Sequence, residues 1–161
     1  MKIKFTLNGR PTQVDAPPSM SLLTLLREQL GLTGTKCGCD TGDCGVCSVL
    51  FDGELAYSCL LAVSGLEGHE VTTIEGIAGP DGSLSDLQES FLHNGAVQCG
   101  YCIPSMILAG EALLRRVPDP SRDEIRAAIS HVLCRCTGYQ QIIDSVQEAA
   151  RRKRKDMESA L

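Results

Sequence analysis

The sequence predicts an α+β fold made of two unlike halves, each built around its own set of cysteines. Three observations carry this. Up to residue 74, apolar and polar residues alternate in short runs broken by Asn8-Gly9 and Asp52-Gly53, the pattern of half-buried strands joined by tight turns. Beyond residue 74, apolar residues recur at helical spacing. The nine cysteines fall into two groups, one in each half. A chain of 161 residues with 43% apolar content holds enough material for a core, as one ordinary domain or two small ones.

In the first half, KIKFTLNGRPTQVDA reads as a hairpin turning at Asn8-Gly9. SLLTLLREQL follows with Leu22, Leu25, Leu26 and Leu30 at helical spacing, and Gly31 ends it. A cysteine loop comes next, then a second hairpin, VLFDGELAY, around Asp52-Gly53, and a further strand in EVTTI. Strands wrapped around one helix beside a cysteine loop predict a β-grasp, ferredoxin-like domain over 1–76. A Gly/Pro-containing linker occupies 77–83.

The second half, 84–161, reads as four helices forming a small bundle. Leu84 to His93 is amphipathic. Pro104 to Arg116 carries Pro in its first turn, where the missing N–H costs nothing. Ser121-Arg122-Asp123-Glu124 is a capping box that opens the third. Gln141 to about Lys155 makes the fourth.

The loop CGCDTGDCGVC holds the most specific chemistry. Cys39, Cys44 and Cys47 stand in C-x4-C-x2-C spacing and Cys59 follows, the ligand pattern of a plant-type 2Fe–2S cluster. Four thiolates must converge on two irons while the backbone curls inward, and Gly38, Gly42 and Gly45 permit that close approach. Zinc favours paired CxxC units over such a triplet. Cys37 is then surplus and is expected to be a free thiol buried at the loop edge. In the helical half, Cys99-Gly100-Tyr101-Cys102 and Cys134-Arg135-Cys136 supply four more ligands. By spacing alone zinc competes for this second site. Its cysteines flank helix ends, whose free N–H groups suit an anionic centre.

Bulk properties exclude several classes. A net charge of −5 and 4% aromatic residues argue against binding nucleic acid. MKIKFTLNGR lacks the apolar run of a signal peptide, and no stretch approaches the roughly 18 apolar residues of a membrane span. The expected location is the cytoplasm, where an odd number of cysteines reads as metal ligation and not as disulfides.

GCDTGDCGVC, AVQCGYC and LCRCTGYQ together resemble the small iron–sulfur subunit of the xanthine oxidase family of molybdenum hydroxylases, over essentially the whole chain. The resemblance implies two 2Fe–2S clusters, one held by Cys39, Cys44, Cys47 and Cys59 and one by Cys99, Cys102, Cys134 and Cys136. It implies a large partner subunit carrying molybdopterin, as the cytosine dinucleotide, and a medium partner carrying FAD, assembled as a dimer of heterotrimers. Electrons would pass from molybdenum through the helical-domain cluster to the ferredoxin-like cluster and on to flavin. Gln98 matches the family glutamine that touches the pterin. Two stretches depart from the family pattern: Cys102-Ile103-Pro104-Ser105 replaces C-T-P-G, and His131-Val132-Leu133 precedes Cys134 where G-N-L is usual. Family members oxidise carbon monoxide, purines, N-heterocycles and aldehydes or act on aryl-CoA thioesters; an aromatic or N-heterocyclic substrate is the expectation here.

No constellation of catalytic base and nucleophile is visible, which fits an electron-transfer subunit of an oxidoreductase. The competing readings are a free-standing two-cluster carrier and a zinc-stapled interaction module. His69 and His93 read as exposed. His131 reads as solvent-facing or packed, with cluster tuning as the alternative. Arg135 reads as a donor to the cluster or the partner, or as a structural ion pair. The run from Arg151 to Lys155 reads as a solvated helix terminus.

Overall fold

The computed structural model describes residues 1–159; the last two positions of the 84–161 segment, Ala160 and Leu161, lie outside the described residues. Strands β1 (Lys2–Leu7) and β2 (Arg10–Asp15) form an antiparallel hairpin. Its turn places Asn8 at φ +50° and Gly9 at +74°, the left-handed pair that matches strand twist. Ile3, Phe5 and Leu7 alternate inward and are buried.

Helix α1 (Leu22–Thr24) is capped by the Ser21 side chain, which accepts from the Thr24 N–H, and continues as a π-helical turn over Leu25–Gln29. The widened turn is a departure from the plain helix the spacing predicts. The Leu30 N–H donates to the Leu25 carbonyl and the Leu32 N–H to that of Leu26. Leu22, Leu23, Leu25 and Leu26 are therefore buried, while Leu30 turns partly outward before Gly31 at φ +67°.

Strands β3 (Ser48–Phe51) and β4 (Glu54–Tyr57) repeat the hairpin device at Asp52-Gly53, and β5 (Glu70–Thr72) enters between β1 and β3. The sheet order is β2-β1-β5-β3-β4, with β5 parallel to β1 and antiparallel to β3. This mixed sheet packed against one helix is the expected α+β arrangement.

The helical half contains α2 (Asp86–His93), α3 (Ile103–Arg116), α4 (Arg122–Ile129) and α5 (Gln140–Ser159). Capping boxes start α2 (Ser85 with Gln88) and α4 (Ser121 with Glu124). Helix α3 is buried almost all round, as a central helix must be. One side meets Phe91, Ile125 and Ile142 of its sister helices. Another meets the sheet, where Leu108 and Ala112 pack on Leu50. That second contact joins the halves and sets the cysteine loops side by side. Among the described residues no helix is long and apolar enough to cross a membrane.

Candidate metal centres

The loop between α1 and β3 is wound tightly around the Cys39 sulfur. The N–H groups of Thr41, Asp43 and Cys44 point at Cys39 Sγ from 3.4, 3.3 and 3.3 Å. These N–H groups hold the Cys39 thiol below its ordinary value, which favours the thiolate that binds metal. The winding needs left-handed backbone at Asp40, Gly42 and Gly45. It also needs an absent side chain at Gly38, where a Cβ would lie 2.7 Å from Cys44 Sγ. The loop delivers Cys47 to the start of β3, and Cys59 approaches from beyond β4. Their sulfurs are 3.4 Å apart. Burial raises Cys44, and burial with the neighbouring Cys47 pushes Cys59 up to about 12.

In the helical half, Cys102 caps the N-terminus of α3 and is buried. Burial, followed by the neighbouring Cys134 thiol, pushes Cys102 up to about 12. Cys99 and Cys136 are exposed, and the neighbouring Cys99 raises Cys136 above its ordinary value. Burial works against ionising Cys134, but donation from Thr137 outweighs it and the thiol sits below its ordinary value. The Thr137 N–H lies 3.4 Å and its hydroxyl 3.1 Å from Cys134 Sγ. The same hydroxyl accepts the Tyr139 N–H at 3.2 Å, so its own proton is free to point at sulfur. Tyr139, at φ +69°, returns its phenol oxygen to accept the Cys134 N–H at 2.9 Å. A cavity of about 150 Å³ lies among the four cysteines, walled by Val46, Tyr101 and Leu133.

Each half thus gathers four cysteines: the Cys47 and Cys59 sulfurs lie 3.4 Å apart beside the loop that carries Cys39 and Cys44, and Cys99, Cys102, Cys134 and Cys136 line one cavity. Among the described residues, no three His, Cys, Asp or Glu side chains converge on one point that could hold a single metal ion. Four thiolates gathered in each half can hold a dinuclear centre with two thiolates per iron. The inward N–H donors suit its negative charge.

Of the other sequence expectations, some differ from the structure and some agree with it. Cys37 is exposed, not buried. Its carbonyl accepts the Tyr101 hydroxyl at 2.5 Å. The basic run is only partly solvated: Arg152 pairs with Glu89 and Glu148, Lys153 with Glu111 at 3.6 Å, and Arg154 with Asp119. His69 and His93 are exposed but bonded, His69 to Asp52 at 2.6 Å and His93 to Arg152 at 2.5 Å. His131 exposes its ring and uses its carbonyl instead, which accepts the Tyr57 hydroxyl at 2.9 Å. Val132 is fully buried, and the Ser105 hydroxyl is buried without a partner. Arg135 is exposed and forms no ion pair among the described residues. Gln98 lies exposed between Val97 and Cys99.

Four contributors to the sites were not legible in the sequence: Tyr57, Thr137, Tyr139 and the interdomain role of Gly45. Thr137 and Tyr139 carried a signal, since both fall in the T-G-Y that follows the second C-x-C. Tyr57 carried none, because its partner is 74 residues away.

The chain matches the 2Fe–2S iron–sulfur cluster binding domain family over residues 5–73 and the 2Fe–2S binding domain family over residues 73–147. It is 46% identical to the nicotinate dehydrogenase small FeS subunit of Eubacterium barkeri, over 93% of this chain and 95% of that one. It is 44% identical to the xanthine dehydrogenase iron–sulfur-binding subunit of Escherichia coli O157:H7, covering 94% and 95%. Among solved structures, quinoline 2-oxidoreductase from Pseudomonas putida 86 superposes with a TM-score of 0.91 at 43% identity, over 96% of each chain. With two 2Fe–2S-binding domains in this order, the chain belongs to the small iron–sulfur subunits of the xanthine oxidase family of molybdenum hydroxylases, electron-transfer components of oxidoreductase enzymes.

Proposed function

We propose that this chain carries electrons from a molybdopterin site in a large partner subunit to FAD in a medium one. Cys99, Cys102, Cys134 and Cys136 ligate the cluster on the molybdenum side. Cys39, Cys44, Cys47 and Cys59 ligate the cluster on the flavin side. The clusters supply reversible one-electron storage; the chain's own residues ligate them, surround their sulfurs with N–H donors and fix their spacing. The observation that carries this reading is the gathering of four cysteines in each half, with the Cys47 and Cys59 sulfurs 3.4 Å apart in the first and Cys99, Cys102, Cys134 and Cys136 around one cavity in the second. Residues 1–76 and 84–161 are the two domains, joined by 77–83. Gln98, exposed beside Cys99, contacts the pterin.

The helical site opens outward through Cys99 and Cys136, and Val97, Tyr101 and Leu133 expose apolar surface around it. A cluster with so bare a rim calls for a covering partner, which favours a subunit of a cytoplasmic complex, a dimer of heterotrimers, over a free-standing carrier. The substrate is an N-heterocyclic compound. In support, the relatives above are named for nicotinate, xanthine and quinoline. Iron and acid-labile sulfide analysis of anaerobically purified protein tests the ligation, with about four of each per chain expected from two sites of four cysteines each. Two irons in fully loaded protein would remove one site.

A further inference from the structure

Building on that ligation, we propose that Tyr57 and Gly45 are positioning residues for electron transfer between the two clusters. The cysteine loops meet at one backbone seam. The Leu133 N–H donates to the Cys44 carbonyl at 2.8 Å, and Leu133 is bonded directly to Cys134. A ligand of one site is therefore linked to a ligand of the other by covalent bonds and a single hydrogen bond. Tunnelling falls off far faster through empty space than along bonds, so this contact governs the rate if it holds.

Two features hold it, and neither is a ligand. Gly45, at φ +72°, lets the 131–133 segment lie directly against the loop, since a Cβ there would sit 1.9 Å from the His131 carbonyl oxygen and 3.1 Å from Val132 Cα. Tyr57, at the end of β4, donates its hydroxyl to that same His131 carbonyl at 2.9 Å. The glycine permits the approach and the phenol pins it. Val132 anchors the segment from behind, fully buried with its N–H on the Ile129 carbonyl. Both halves must be in register for Leu133 to reach Cys44.

The step is a single electron moving from the Cys134 side to the Cys44 side, one site losing the charge that the other gains. No bond breaks, no proton moves and Tyr57 is not oxidised. The reductant is the substrate oxidised in the partner subunit.

The test uses the assembled complex carrying wild type or Tyr57→Phe in this chain, with Gly45→Ala as a harsher companion. Losing one hydrogen bond of about 1 kcal/mol raises local opening about fivefold. Hydrogen exchange at Leu133, followed by mass spectrometry, should therefore quicken about fivefold in Tyr57→Phe. Electron paramagnetic resonance of the fully reduced protein should show both cluster signals with weakened splitting between them. Gly45→Ala, where it loads four irons, should lose the splitting. Tyr57→Phe is the deciding variant. Leu133 exchange and splitting that both match wild type overturn the proposal, and so does faster exchange with unchanged splitting, which makes Tyr57 a purely structural residue. A wild-type chain holding only one cluster overturns the ligation itself, and the inference with it.

Discussion

Replacing Thr137 with Val should lower the reduction potential of the helical-domain cluster and leave the other unchanged. The Thr137 hydroxyl accepts the Tyr139 N–H at 3.2 Å, which leaves its proton for Cys134 Sγ, 3.1 Å away. Reduction adds negative charge to the centre, so the donated hydrogen bond strengthens in the reduced state. Removing it destabilises that state, and the potential falls. A differential of about 1 kcal/mol for one such bond converts to roughly 40 mV for a one-electron couple, at 59 mV per tenfold. The Thr137 N–H, 3.4 Å from the same sulfur, survives the substitution, so the shift should stay near that size. A redox titration followed by electron paramagnetic resonance reads both clusters in one sample. The ferredoxin-like cluster then serves as the internal standard. Thr137→Ser should restore the native value. No shift, a rise, or equal movement of both clusters would refute the reasoning.

Three further outcomes are expected. Cys37→Ser should keep both cluster signals, because Cys39, Cys44 and Cys47 already complete the C-x4-C-x2-C triplet, whereas Cys39→Ser should lose or alter one; loss of a cluster in the Cys37 variant would mean a different ligand register. Phe91→Ala should cost about 3–5 kcal/mol, since Phe91 fills the core of the helical half; chemical denaturation measures it, and a change below about 1 kcal/mol would contradict the packing described. Arg152→Ala should lower stability by no more than about 1 kcal/mol, because its pairs with Glu89 and Glu148 remain in contact with solvent and such pairs are weak; a larger loss in a thermal melt would contradict a peripheral role.

The parts of the fold legible in the sequence were those with local causes. Asn8-Gly9 and Asp52-Gly53 specify their turns by backbone preference alone. The Ser121–Glu124 capping box closes within four residues, and its bonds are present as expected. The ligand pattern was legible because C-x4-C-x2-C is a local constraint on one loop. What stayed hidden depends on residues far apart in the chain. Tyr57 meets His131, and Gly45 meets the same carbonyl, only because α3 docks on β3. Arg154 finds Asp119, and Lys153 finds Glu111, only once α5 lies across the bundle. The π-helical turn at Leu25 was hidden for a different reason. Its leucines fit ordinary helical spacing equally well, and packing against the sheet decides between the two. Cys37 departs from expectation because burial of its type is only a general tendency.

The most direct measurement of the proposed route is rapid freeze-quench resonance on the assembled complex with Cys134→Ser in this chain. Substrate should still reduce molybdenum. In a variant confirmed to lack the helical-domain cluster, it should no longer reduce the ferredoxin-like cluster or the flavin, whereas wild type reduces the helical-domain cluster first. Normal flavin reduction in that variant would contradict the account.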